Sequence, residues 1–275
     1  MDFTFESVVS KDGTVIGYWK IGSGPGLIIC HGAGRISQSY RKLALALSDR
    51  YTVFIPDRRG RGLSGPALAD YDMGKATEDL SALLKATGAD FVFGHSSGGL
   101  VTLETGLVYP IKKIAVYEPP VSINHSLPSE WLADFEKAVE KKQLKKAMAI
   151  SLRGLRAHEA IVKMPYWCLM ILINVLCLAE RKKEKGTRML DLLHTVPSDM
   201  KMAVKLDSTY QRYENLESSV LVMSGRSSTR YFQKGSMALT TVIRDVDFKI
   251  FEEFDHYSPE EKVTEIGAVL KDFFQ

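Results

Sequence analysis

The sequence predicts an α/β protein with a mostly parallel central sheet, helices on both faces, and an inserted all-helical segment. Three observations carry this. Short apolar runs alternate with longer helical patterns through the first 120 residues, as βαβ units require. The same alternation resumes after about residue 215. Between about Val121 and Gln211 no buried-strand pattern occurs, and that stretch holds 15 Lys/Arg against 10 Asp/Glu, +5 in a chain whose total is +3.

Taken in order, Phe3–Val9 and Thr14–Ile21 are β-rich and flank Lys11-Asp12-Gly13, where Asp-Gly signals a hairpin. Leu27–Cys30, Tyr51–Ile55, Phe91–Phe93 and Lys113–Tyr117 are short apolar runs, the pattern of strands buried on both faces. Helical spacing fills the gaps over Gln38–Leu47 and Tyr71–Thr87, and from the glycine-rich turn after Phe93 through Tyr109. Beyond the insertion come a strand at Ser219–Met223, a helix at Tyr231–Val242 and a strand at Phe248–Phe254. Ser258-Pro259-Glu260-Glu261 reads as a capping box opening the last helix. The expected organisation is a core of residues 1–120 and 212–275 with residues 121–211 inserted as a cap.

Composition narrows the function classes. With 45% hydrophobic and 25% charged residues the chain is neither disordered nor collagen-like. A net charge of +3 is too mild for nucleic acid as the main partner. Cys30, Cys168 and Cys177 are odd in number and lack C-x-x-C spacing, against a disulfide framework or zinc site and in keeping with a reducing compartment. The first residues, Met1-Asp2-Phe3-Thr4, show no signal-peptide pattern. The longest apolar run, Trp167–Ala179, has 13 residues and contains Asn174, short of the roughly 20 that span a bilayer. A cytoplasmic protein without a membrane span is expected. The histidines show no i, i+4 pairing of metal ligands, so neither metal nor cofactor is expected.

Gly94-His95-Ser96-Ser97-Gly98 is a G-x-S-x-G placed between a buried strand and a helix. That context fits a nucleophile elbow, in which small flanking residues let a sharp turn lift the serine out of the sheet. The bland alternative is a Gly/Ser loop opening an ordinary helix. Two further motifs accompany it: His31-Gly32-Ala33-Gly34 after the Leu27–Cys30 run, and Asp57-Arg58-Arg59-Gly60-Arg61-Gly62-Leu63-Ser64 after the Tyr51–Ile55 run. In this order, and with the insertion where it falls, the chain resembles the α/β-hydrolase superfamily over nearly its whole length.

The resemblance implies a serine hydrolase. Ser96 would be the nucleophile, and the backbone amides of Ala33 and Ser97 would form the oxyanion hole. The order Ser…acid…His places the base near the C-terminus. His31 and His95 lie inside motifs and His125, His158 and His194 in the insertion, which leaves His256. The family's usual acid sits in a G-x-x-D turn after the Ser219–Met223 strand. Here that turn reads Gly225-Arg226-Ser227-Ser228, with no acid before Asp245. Some relatives take the acid from the end of the preceding strand, where this chain has Glu118, 22 residues after Ser96. The alternative is a Ser–His dyad, with Glu118 paired to a basic neighbour. Asp255 adjoins His256 but would have to fold back on its own backbone. A serine nucleophile excludes the alkyl-ester chemistry that dehalogenases and epoxide hydrolases run on aspartate.

The expected activity is hydrolysis of a small, largely apolar carboxylic ester or lactone. The alternatives are a ligand sensor with slow or no turnover, or a lyase or cofactor-free oxidation on the same scaffold. The apolar run, through Trp167, Met170 and Leu172, is expected to line the acyl or ring side of the pocket; packing of the cap on itself, or on a second copy in a homodimer, is its other reading. The basic clusters Lys141-Lys142, Lys145-Lys146 and Arg181-Lys182-Lys183 read as solvated faces, with anionic substrates or lipid head groups as the alternative.

Overall fold

The computed structural model describes residues 2–156, 159–184 and 186–275. Eight strands form one sheet: β1 Thr4–Val9, β2 Val15–Ile21, β3 Gly26–Cys30, β4 Thr52–Pro56, β5 Phe91–His95, β6 Lys113–Tyr117, β7 Ser219–Gly225 and β8 Val246–Phe251, in the order β1-β2-β4-β3-β5-β6-β7-β8. β2 pairs antiparallel with both β1 and β4, and every other pairing is parallel. The order reverses at β3, with β4 on one side and β5 on the other. Ligand crevices in such sheets open outside the carboxyl ends of the strands at this reversal, and here His31 follows β3 and Ser96 follows β5.

The helices of the first half are α1 Arg41–Leu47, α2 Met73–Thr87 and α3 Ser97–Gly106. The insertion contributes α4 Leu132–Glu140, α5 Leu144–Gly154, α6 Glu159–Lys163, α7 Tyr166–Ala179 and α8 Val196–Lys205; α9 Arg230–Val242, α10 Ser258–Glu261 and α11 Val263–Phe273 complete the chain. Strand alternation divides the core. Leu27, Ile29, Val53 and Phe93 pack against α1 and α11 through Leu43, Leu47, Ile266 and Leu270. Ile28, Val92, Ile114 and Val222 face the other way, against Leu80, Leu83, Leu100, Leu103 and Leu239 of α2, α3 and α9. The second cluster runs without a break into the insertion, through Phe135, Met148, Leu169, Ile173 and Met200. Among the described residues the insertion holds no strand.

Four expected elements change in detail. The region read as a helix at Gln38–Leu47 is a 3₁₀ turn, Ser37–Tyr40, followed by α1. α3 ends at Gly106, before Tyr109. β8 lies earlier than Phe248–Phe254: Phe254 has left the strand, its carbonyl accepts from Ser227 N at 3.0 Å, and its ring stacks on Phe251 with centroids 4.4 Å apart. The Ser258–Glu261 signal does not cap the last helix. Ser258 Oγ accepts from Asp255 N at 2.9 Å, α10 lasts four residues, and α11 begins after Lys262. Glu260 is taken up by an ion pair with Arg35.

One buried carboxylate ties the insertion to the sheet. Asp199 of α8 accepts from Arg58 Nη2 at 2.6 Å and from Arg61 Nη2, both arginines belonging to the loop after β4. All three side chains are almost wholly excluded from solvent. Two guanidiniums share one acid, so Asp199→Ala leaves both uncompensated in a dry site. The expected loss is roughly 3–5 kcal/mol of stability, read as a lower urea midpoint; a change below about 1 kcal/mol would rule out Asp199 as the main tie.

Candidate active site

The end of β5 is forced into an uncommon conformation. Ser96 has φ 53° and ψ −127°, sterically costly for an L-residue. Its N–H donates to Tyr117 O at 2.9 Å, and its carbonyl accepts from Gly99 N at 2.8 Å and Leu100 N at 3.2 Å. The motif's glycines make this possible: a Cβ on Gly98 would fall 2.2 Å from Cys30 O, and one on Gly94 2.6 Å from Gly99 Cα. β6 ends in the same manner. Glu118 has φ 47°, and its N–H donates to Met223 O at 3.1 Å. Because His95 pairs with Tyr117 in the β5–β6 register, the next residues, Ser96 and Glu118, leave the sheet side by side.

The structure brings Ser96, His256 and Glu118 into contact. His256 Nε2 lies 3.1 Å from Ser96 Oγ, and His256 Nδ1 lies 2.8 Å from Glu118 Oε2. The other carboxylate oxygen, Oε1, accepts from Ser224 Oγ at 3.0 Å and Gly225 N at 2.8 Å, and the side chain is fully buried. With Nδ1–H donating to Glu118, the Nε2 lone pair faces the serine hydroxyl. Ser228, which stands where the usual acid would be, is buried, and its Oγ has no hydrogen-bond partner among the described residues. Asp255 closes its own turn, accepting from Tyr257 N at 2.9 Å and from Ser258 Oγ at 3.2 Å.

Several residues that the sequence did not single out hold His256. Its ring stacks on Phe232 of α9, with centroids 3.9 Å apart and planes 11° from parallel. Its carbonyl accepts from His95 Nε2 at 2.8 Å, and the carbonyl of Asp255 accepts from Tyr117 OH at 2.7 Å. His95 donates from Nε2, so its Nδ1 accepts from the Tyr40 hydroxyl. Burial, reinforced by His256 and Arg35, pushes its pKa well below the ordinary value, and the neutral ring serves as a brace. Arg35 and Glu260, paired at 2.7 Å, clamp the loop after β3 to the segment following His256. Phe232 carries no local signal of this role, whereas Tyr117 adjoins Glu118 and His95 adjoins Ser96.

The amides proposed for an oxyanion hole flank the serine. A Cβ on Gly32 would lie 3.1 Å from Ser96 Cβ, so the Gly32-Ala33 backbone runs against Ser96. Ser97 opens α3, and its Oγ accepts from Arg58 Nη1 at 3.0 Å. Among the described residues neither the Ala33 nor the Ser97 N–H donates to a backbone carbonyl. His31 is buried: it donates from Nδ1 to Gly32 O and accepts from Arg58 N at 3.2 Å, so it serves the loop's geometry. In the insertion, His125 lies beside Asp207 and His194 bridges Asp191 O and Gly60 O. His158 lies outside the described residues.

The structure places the apolar run differently from expectation. A cavity of about 1120 Å³ opens between the Gly60–Asp72 loop and helices α4 and α8; none of Ser96, His256, Glu118, Trp167, Met170 and Leu172 lines it. α7 packs on α5. Trp167 is 67% exposed, while Met170 and Leu172 are half-buried against the insertion's core. Only Leu169 and Ile173 are fully buried on this helix. Its apolar residues serve internal packing on one side and meet solvent on the other, so the pocket-lining role expected of these three residues is corrected.

The model of the alpha/beta hydrolase family matches residues 27–227. A 107-residue stretch is 36% identical to the magnesium-chelatase 30 kDa subunit of Rhodobacter capsulatus, covering 36% of this chain and 37% of that protein. A 91-residue stretch is 33% identical to 2-(acetamidomethylene)succinate hydrolase of Mesorhizobium japonicum, covering 32% and 33%. The chain thus matches only about a third of the length of these curated relatives. Over 98% of this chain and 100% of the other, the fold superposes on an alpha/beta hydrolase from Sphaerobacter thermophilus with a TM-score of 0.80 and 27% identity.

The buried neutral histidines set a pH dependence. In the unfolded chain His31 and His95 take up a proton near pH 6.5, whereas in the fold their pKa values lie well below it. Between those values the unfolded state binds more protons, so stability is complete above about pH 6.5 and falls as the pH drops below it. The urea midpoint should therefore fall between about pH 7 and 5, and His95→Gln should reduce that slope. An unchanged slope in the variant would show that His95 is not buried in its neutral form.

Proposed function

The chain belongs to the alpha/beta hydrolase family, and we propose that it is a serine hydrolase acting on a carboxylic ester or lactone of a small, largely apolar substrate. The observation that carries this reading is the unbroken relay Glu118 Oε2–His256–Ser96 Oγ, at 2.8 and 3.1 Å. Ser96 Oγ attacks the carbonyl carbon as its proton passes to His256 Nε2. Glu118 stabilises the imidazolium that forms and holds the tautomer with a free Nε2. The negative charge that develops on the carbonyl oxygen is met by the Ala33 and Ser97 amides, fixed beforehand by the loop after β3 and the start of α3. Collapse of the tetrahedral intermediate expels the alkoxide, which takes the proton from His256 and leaves an acyl group on Ser96. In a lactone that alkoxide stays tethered to the acyl chain. A water deprotonated by His256 then attacks the ester, and Ser96 departs with the proton returned.

On this reading the insertion is a lid. Asp199 joins it to Arg58, which also reaches Ser97 Oγ, so lid and nucleophile turn share one polar network. A lid excludes water and binds the part of the substrate remote from the reacting bond.

Two substitutions test the assignment. Ser96→Ala should abolish turnover of short p-nitrophenyl esters and labelling by a fluorophosphonate, with the fold intact by circular dichroism. Labelling that persists would place the nucleophile elsewhere. Glu118→Gln removes the charge and favours the wrong tautomer, so kcat should fall by about 10⁴-fold; a loss below about tenfold would reduce the triad to a dyad.

A further inference from the structure

Helix α7 presents an apolar stripe to solvent. Trp167, Ile171, Val175 and Leu178 are 67%, 56%, 55% and 52% exposed, and their spacing puts them on one face of the helix. The opposite face, through Leu169 and Ile173, is committed to the core. Continuous exposed apolar surface of this kind marks a binding face.

Its border is cationic. Lys145 Nζ donates to Asn174 Oδ1 at 2.6 Å, halfway along the helix. Arg181 and Lys182 follow the C-terminal end and are exposed. Of the two acids at this end, Glu184 is exposed while Glu180 is drawn inward, pairing with Lys183 at 2.6 Å and accepting from Met189 N at 2.8 Å. A second copy docking stripe to stripe across a two-fold axis would bring these positive borders together. An anionic surface neutralises them.

We propose that α7 seats this protein on anionic lipid bilayers: the Trp167–Leu178 stripe enters the head-group boundary, and Lys145, Arg181 and Lys182 contact lipid phosphates. An indole at one end and long basic side chains beside an apolar strip suit that boundary. With 14 residues α7 does not cross the bilayer; it lies along the surface. The proposal is independent of the bond that Ser96 attacks.

The test uses the full chain, with sedimentation on vesicles of phosphatidylcholine alone or with about one third phosphatidylglycerol. The protein should bind the anionic vesicles at least tenfold more tightly than the neutral ones, and should be released by about 0.5 M NaCl as screening shortens the reach of charge. The double variant Trp167→Ser/Ile171→Asn and the charge variant Arg181→Glu/Lys182→Glu should each weaken binding at least tenfold while keeping the parental circular dichroism. No preference of the parent for anionic vesicles, or binding by either variant as tight as the parent's, would overturn the proposal. So would a dimer, seen by light scattering, that Trp167→Ser/Ile171→Asn dissolves, since that assigns the stripe to a second copy.

Discussion

Ser96 occupies backbone space that costs an L-residue of order 1–3 kcal/mol, and the surroundings leave it no other. Its N–H is held by Tyr117 O, its carbonyl by Gly99 and Leu100, and the missing side chains of Gly94 and Gly98 let β5, α3 and the end of β3 converge. Glu118 repeats the device one strand along, at φ 47°. Two adjacent parallel strands thus end in a kink that turns a polar side chain out of the ladder. The parallel pairing of His95 with Tyr117 makes the two kinks neighbours. An imidazole then needs only to arrive from the C-terminal segment to connect them.

That arrival is overdetermined. The segment after β8 is held at the Asp255 carbonyl by Tyr117, at the His256 carbonyl by His95, and beyond His256 by the Arg35–Glu260 pair. Phe232 supplies the flat surface on which the ring rests. Hydrogen bonds fix the backbone and stacking fixes the ring plane, so little conformational freedom remains for His256 to lose on reaching its working orientation. A carboxylate at the end of β6 needs its own support, since a buried charge without partners is costly. Ser224 and Gly225 of β7 provide it at 3.0 and 2.8 Å. The turn that carries the acid in the commoner arrangement here offers donors to an acid one strand away.

Charge organises the rest. Arg58, Arg59 and Arg61 lie within four positions of one loop, yet each is buried with an acid from another part of the chain: Asp199 for Arg58 and Arg61, Asp12 and Asp79 for Arg59. These pairs join the insertion, the first hairpin and α2 to the loop after β4.

What the sequence determined by itself follows from local physics. Runs such as Leu27–Cys30, four apolar residues bounded by turn signals, fit strands buried on both faces, and a glycine-flanked serine between such a strand and a helix marks a turn where bulk is not tolerated. Ser96 was legible for that reason, whereas His256 and Glu118 were singled out through the family resemblance, by its residue order and by the acid missing from Gly225–Ser228. Other features depend on the meeting of distant segments, which no window of sequence contains. Phe232 stacks on His256 across 24 residues, and His95 reaches the His256 carbonyl across 161. Glu260 looked like half of a capping box until Arg35, 225 residues away, claimed it. The 13-residue apolar run could not declare its outward face, because hydrophobicity around a helix says how much can be buried and not which side meets the core. Only the packing of α7 on α5 decided that Leu169 and Ile173 face inward while Trp167 and Ile171 face water.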